Sequence, residues 1–476
     1  MRQVLIGREQ EARRLREYID TEKSEFIAVY GRRRVGKTFL IRQVIGEQAC
    51  FSMTGMENAN MGEQLANFYF TLRRVNPSLL PPQSWIEAFD ALQSYLEGLP
   101  TGKKIIFIDE LPWLDTVRSK FTAALERFWN GWADGRDDIK LIVCGSATSW
   151  MIDNIINNRG GLHNRKTHQI YLAPFTLEES QHYFKAYGFG YREKEIAECY
   201  MVMGGVPYYY SLMNNRESVA QNIDRLFFAR NGELKNEFEN LYHSLYKKAG
   251  DHISIVTALA RKAKGMTRKQ ILEQTKINNN AKFTKTLEEL EKCGFIRSYI
   301  PFGETKRDTL FQLMDAFTLF HFHYATENKY QDEAFWTNSL NSAQHRAWSG
   351  YAFEILCLTH IDQIKHALGI AGIRSRACCW TSKPEANHKG TQIDLIIDRA
   401  DQTINICEMK FSRTEYEITK SDDSDFDHKL ETFLRQTNTR KSLMLTLITS
   451  FGIKPGMYSG HVQCQLTLDD LFKPTR

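Results

Sequence analysis

Phe26-Ile27-Ala28-Val29-Tyr30-Gly31-Arg32-Arg33-Arg34-Val35-Gly36-Lys37-Thr38 is an apolar run that breaks into glycine, three arginines and a Gly-Lys-Thr. Gly31 to Thr38 matches G-x-x-x-x-G-K-[ST], the phosphate-binding loop between a strand and a helix. The chemistry explains the residue types. Glycines at 31 and 36 let the backbone curl until several N–H groups face one anion. Lys37 carries a point charge toward the outer phosphates, and Thr38 offers a hydroxyl to a divalent cation. The helix expected from Phe39 to Ile45 aims its positive end at the same anion. Gly31, Arg34, Gly36, Lys37 and Thr38 are therefore the candidate nucleotide-binding residues.

A second stretch, Lys104-Ile105-Ile106-Phe107-Ile108-Asp109-Glu110, is a continuous apolar strand ending in two carboxylates. Buried parallel strands read this way, and ligands collect at their carboxyl ends. Asp109 suits Mg²⁺ coordination, and Glu110 suits the general base that deprotonates an attacking water. A third strand, Leu141 to Cys144, exits into Gly145-Ser146-Ala147-Thr148. By position Ser146 is an ordinary strand-exit serine.

These motifs, together with Gly204-Gly205-Val206-Pro207, resemble those of AAA+ or STAND-related ATPases of the archaeal-ATPase type. The resemblance implies ATP and Mg²⁺ as ligands and a polar γ-phosphate sensor at Ser146, and it places Gly205 and Pro207 in the nucleotide-sensing position of a lid. A loop between lid helices explains the same two residues, since Gly and Pro are common punctuators. Arg159 and Arg165 lie in a glycine-containing loop. Each is either a solvated loop arginine or an arginine finger acting across a contact between copies, which would make the protein a homo-oligomer. A capping box at Thr176 to Glu179 opens the lid, expected as helices to about Tyr246.

Beyond the lid, three helical segments (His252 to Lys262, Arg268 to Gln274, Ala281 to Lys292) precede two short strands around a long loop. This is the pattern of a winged helix-turn-helix. Residues 251–313 hold 12 Lys+Arg against 7 Asp+Glu, an excess of five that equals the net charge of the whole chain. A basic module of this kind suggests DNA as a partner, with Lys282, Lys285, Lys306 and Arg307 on phosphates. A protein-contact module is the other reading.

In the last third, Trp348 to Cys357 reads as an apolar helix carrying Glu354. Gln392 to Asp398 and Ile404 to Lys410 read as two strands joined by a turn. Alternation puts Glu408 and Lys410 on one face, with Asp394 close by on the neighbouring strand. An acid on a helix, Asp, then Glu-x-Lys resembles the PD-(D/E)xK nucleases. The resemblance implies Glu354, Asp394 and Glu408 as Mg²⁺ ligands and Lys410 as base or charge stabiliser, with Gln392 adding a polar contact. Solvated cross-strand pairs give the same short pattern. Residues 331–476 hold 17 Lys+Arg against 18 Asp+Glu, too neutral for a DNA clamp by themselves.

The expected fold class is α/β and multidomain. Residues 1–172 form a P-loop parallel sheet, 173–246 a helical lid, 247–330 the winged helix-turn-helix, and 331–476 a restriction-endonuclease-like α/β domain. With 476 residues and ordinary apolar and charged content, the chain is large enough for several cores. No apolar run reaches the ~18 residues of a membrane span, and the start lacks a signal-peptide core. Nine scattered cysteines without a C-x-x-C pair suggest reduced thiols in the cytoplasm. The expected activity is ATP hydrolysis coupled to a Mg²⁺-dependent nuclease-like domain. The alternative is a STAND-like switch that binds nucleic acid or protein without cutting.

Overall fold

The computed structural model describes residues 5–157, 166–246, 248–328, 331–382 and 390–475. The chain divides into two compact units, Met1–Pro174 and Phe175–Arg476.

In the first unit five strands pair in parallel: β1 (Glu25–Tyr30), β2 (Ala49–Thr54), β3 (Lys104–Asp109), β4 (Ile139–Gly145) and β5 (His168–Tyr171). Their order across the sheet is β2-β3-β4-β1-β5. Both faces are covered, which is why β1, β3 and β4 read as unbroken apolar runs. Phe26 and Ala28 of β1 pack with Ile106 and Leu141 on one side. Ile27 and Val29 pack with Leu15, Ile19 and Ile41 on the other. The helix Glu9–Asp20 contributes Leu15 and Ile19 to that second layer, and the helix Lys37–Ile45 contributes Ile41 and Ile45. Every strand of this sheet ends on the same side, so the exits of β1, β3 and β4 form one rim.

The second unit begins with the capping box at Thr176, whose side chain accepts from the Glu179 amide. Helices Leu177–Ala186 and Glu193–Met203 follow. Helices Gly250–Ala260, Arg268–Thr275 and Ala281–Lys292 then precede a small antiparallel sheet. That sheet has three strands rather than the two expected: β6 (Met266–Thr267), β7 (Ile296–Tyr299) and β8 (Leu310–Leu313), in the order β6-β8-β7. Two residues of β6 carry too little pattern to be read as a strand. The last sheet runs β9 (Ser375–Thr381), β10 (Gln392–Arg399), β11 (Thr403–Lys410), β12 (Ser442–Thr449) and β13 (Cys464–Thr467). β9, β10 and β11 are antiparallel neighbours, while β11, β12 and β13 run parallel. The 17-residue helix Ala343–Thr359 packs on β11. The acidic run from Ser421 forms the first turns of the helix Lys420–Thr437, where carboxylates suit the positive helix end.

Residues 175–475 cluster as one compact unit. Long-range contacts explain why. Phe302, from the loop between β7 and β8, packs into the core formed by Trp380, Ile393 and Phe433. The Phe302 amide donates to the Cys379 carbonyl at 2.8 Å. The Asp224 carboxylate accepts from the amides of Trp336 and Thr337.

His360 shows what such contacts demand. It is fully buried, its Nδ1 donates to the Leu356 carbonyl, and its Nε2 accepts from the Leu177 amide at 3.2 Å. Accepting requires the neutral ring, and burial pushes its pKa from 6.5 to about 4. A histidine held below its unfolded value contributes stability that is complete above pH 6.5 and lost as pH falls toward 4. Denaturant unfolding at stepped pH is expected to show stability declining through that window, less steeply in His360→Gln. An unchanged slope in the variant would refute this linkage. His321, half-buried, stacks on Phe238 with ring centroids 4.1 Å apart.

Candidate functional site

The rim above β1, β3 and β4 carries the nucleotide candidates. Gly31 has φ 153°, and a Cβ there would lie 2.2 Å from the Leu172 carbonyl oxygen, so the loop can pass only with glycine. Gly36 and Arg34 are left-handed at φ 91° and 71°. Lys37 is almost completely buried. Its ammonium donates to the carbonyls of Gly31 and Arg32 and to Ser146 Oγ, all within 3.0 Å. Burial lowers the Lys37 pKa, while Glu110, Cys144 and Asp109 draw it back. A buried cation centred in a glycine loop is a ready phosphate receptor.

Thr38 Oγ1 donates to Asp109 Oδ2 at 2.9 Å, joining the loop to the end of β3. The hydroxyl and the carboxylate thus stand together as hard oxygen donors, which fits Mg²⁺. Asp109 also accepts from the Cys144 thiol and the Glu110 amide. Burial drives that thiol's pKa well above its ordinary value, so Cys144 is a neutral donor. Glu110 turns out of the strand at φ 47°. Its Oε2 accepts from the Ser146 amide at 3.0 Å, and its Oε1 from Ser146 Oγ at 2.6 Å. Ser146 therefore bridges Lys37 and Glu110, a role that strand-exit position alone did not indicate. Arg159 and Arg165 lie outside the described residues.

Gly205 and Pro207 belong to the second unit. Gly205 has φ 69°, a Cβ there would sit 2.3 Å from the Phe175 carbonyl oxygen, and its own carbonyl accepts from the Phe175 amide. Pro207 starts a short helix. Gly205→Ala is expected to cost more than ~2 kcal/mol through strain and collision. A thermal melt within a degree of the parent would refute it.

A second constellation forms in the last sheet. The ladder pairs Leu395 with Cys407, so the next residues on each strand, Asp394 and Glu408, are neighbours at its end. Gln392 donates to Asp394 Oδ1. Glu408 accepts from Lys410 at 2.9 Å and from Lys429, on the helix Lys420–Thr437, at 2.5 Å. Burial would raise the Glu408 pKa, but Lys429 and Lys410 hold it below its ordinary value. Glu354, on the helix Ala343–Thr359, is pushed up to about 8 by burial and by Asp394 and Glu408. Burial and the neighbouring acids penalise the ionised form of Glu354, a penalty that a hard divalent cation held among the three carboxylates would relieve. Lys429 had no signal in the sequence, because only folding brings the helix across β11.

Lys282 pairs with Asp251 at 2.5 Å, and Lys285 lies 3.9 Å from Glu289, so neither cation is uncommitted. The expected count saw net charge but not these local pairings. Lys306 and Arg307 are exposed.

The parallel sheet, the glycine loop with its buried lysine, and the Thr38–Asp109–Glu110 rim define a P-loop ATPase domain. Residues 5–213 match a family described as an ATPase domain predominantly from Archaea, so the chain carries an ATPase domain of the archaeal type. The chain is 23% identical over 398 residues to the uncharacterised protein MJECL04 of Methanocaldococcus jannaschii, covering 83% of this chain and 84% of that one. Among solved structures it is similar to a Walker-type ATPase of Pyrococcus abyssi at 20% identity and TM-score 0.46, covering 66% of this chain and 95% of that chain. It is also similar to the ORC2 protein of Aeropyrum pernix at 14% identity and TM-score 0.37, covering 67% and 93%. Among the described residues no helix is long and apolar enough to cross a membrane.

Proposed function

We propose that the protein binds and hydrolyses ATP and couples nucleotide state to a nuclease-like site acting on DNA. The single observation that carries the ATPase reading is the Lys37–Ser146–Glu110 chain beside the Thr38–Asp109 pair. In this reading Lys37 and the loop amides hold the outer phosphates. Glu110 orients and deprotonates water, and Thr38 and Asp109 would hold Mg²⁺, which supplies charge neutralisation. Gly205 and Pro207 would report the nucleotide to the rest of the chain.

The nuclease-like reading is supported by the clustering of Glu354, Asp394, Glu408 and Lys410. Glu354, Asp394 and Glu408 would hold Mg²⁺, and Lys410 would stabilise developing charge on a phosphodiester. The three helices with strands β6, β7 and β8 are read as a winged helix-turn-helix, with exposed Lys306 and Arg307 for DNA phosphates. Free cysteines, most of them buried, fit a cytoplasmic location. One observation favours the second reading, a STAND-like switch that binds without cutting: both Glu408 oxygens are already paired with lysines. Incubating linear and circular DNA with the purified protein, Mg²⁺ or Mn²⁺, with and without ATP, separates the two. Hydrolysis of ATP without any DNA cleavage would select the switch.

A further inference from the structure

A cavity of about 340 Å³ opens beside the carboxylate cluster and is walled from two sides. Glu354, Gln392 and Asp394 line one wall, and Lys264, Arg297 and Tyr299 line the other. The second wall comes from the helix-and-strand module, with Arg297 on β7. Hydrogen bonds lock the walls together. The Ala263 carbonyl accepts from Tyr351 of the helix Ala343–Thr359 at 3.1 Å and from Gln312 at 2.7 Å.

Arg297 is held for display. Its Nε donates to Gln312 Oε1 at 2.8 Å, and its guanidinium carbon lies 4.6 Å from the Tyr299 ring centroid. Among the described residues no carboxylate pairs with it, although Glu354 and Asp394 line the same cavity. Taking an unpaired cation out of water is costly, so folds keep one where a ligand returns the charge. A planar guanidinium with free N–H groups suits two phosphate oxygens at once. In the same lining, Gln392 Oε1 is a buried acceptor with no donor among the described residues, a place for a sugar hydroxyl or a water carried by the ligand.

We propose that Arg297 grips a nucleic-acid phosphodiester in this cavity, so that the substrate backbone lies between β7 and the carboxylates of the last sheet. The proposal rests on reading that cluster as a nuclease-like site, and it adds the missing positive charge. A last domain of nearly balanced charge lacks a DNA clamp, and the neighbouring module supplies one at the reacting phosphate. Lys264, exposed at the mouth, would draw the backbone in.

The test uses the full chain with a fluorescein-labelled DNA oligonucleotide and Ca²⁺ to allow binding without cutting. Losing a charge-assisted contact of ~1.5–3 kcal/mol predicts a roughly 10- to 100-fold weaker Kd in Arg297→Met. The salt dependence should become shallower by about one contact. Arg297→Lys should keep part of the affinity. Without DNA, the melting temperature of Arg297→Met should hold or rise, because an uncompensated charge has gone. Parental affinity in Arg297→Met, or a loss of affinity that tracks a fall in melting temperature in both variants, would overturn the proposal. Displacement of the oligonucleotide by equimolar inorganic phosphate would also overturn it, assigning the cavity to monoesters. Arg297-dependent binding without Mg²⁺- or Mn²⁺-dependent cleavage by the parent would sink the nuclease reading and leave the phosphodiester site standing.

Discussion

Glu110→Gln is expected to keep ATP bound and to slow its hydrolysis by roughly 10²- to 10⁴-fold, the usual worth of a positioned general base. The substitution preserves size and can still hydrogen-bond Ser146, so the loop and Lys37 stay in place. Lys37→Ala should behave differently. It removes the buried ammonium that links Gly31, Arg32 and Ser146, and binding itself should fail. Equilibrium binding of a fluorescent ATP analogue, measured beside phosphate release, separates the two variants. Undiminished turnover in Glu110→Gln would exclude Glu110 as the base and leave the phosphate loop untouched.

Glu408→Ala and Lys410→Ala are expected to abolish Mg²⁺- or Mn²⁺-dependent DNA cleavage with ATP binding intact. The two reach that outcome by different routes. Without Glu408, two lysines face each other across the cluster and the cation loses a carboxylate. Without Lys410, the cation site survives but the charge developing at the phosphate loses the lysine that would stabilise it. Cleavage by the parent that persists in both variants would place the chemistry elsewhere. Running Lys37→Ala alongside shows whether ATP gates the cut, since that variant leaves every residue of the last sheet unchanged.

Much of the candidate nucleotide site was legible because its chemistry is local. Gly31 to Thr38 is one loop running into the start of a helix, and Asp109 and Glu110 stand at the exit of one strand, so residue type and order single them out as candidates without a fold. Ser146 was half legible. Its position at a strand exit was readable, but its two hydrogen bonds to Glu110 depend on β3 and β4 lying side by side. The carboxylate cluster was legible in outline, because Asp394 and Glu408 sit on strands joined by a short turn. Lys429 and Arg297 were not. Nothing in their neighbourhoods repeats or pairs, and each reaches the cluster from an element distant along the chain.

The basic stretch from 251 to 313 marks the limit of counting charge. Its excess is real, but Lys282 is paired with Asp251, and the loop between β7 and β8 packs Phe302 against the core of Trp380, Ile393 and Phe433. The sequence by itself determined the phosphate loop, its acidic partner strand and the carboxylate-lysine pattern, because strand periodicity and motif spacing act over a few residues. Tertiary structure alone decided that residues 175–475 pack as one body, that Glu408 is held by two lysines, and that Arg297, with no carboxylate partner among the described residues, lines one cavity with Glu354 and Asp394. Those features depend on which surfaces bury against each other, and burial is settled by the whole chain at once.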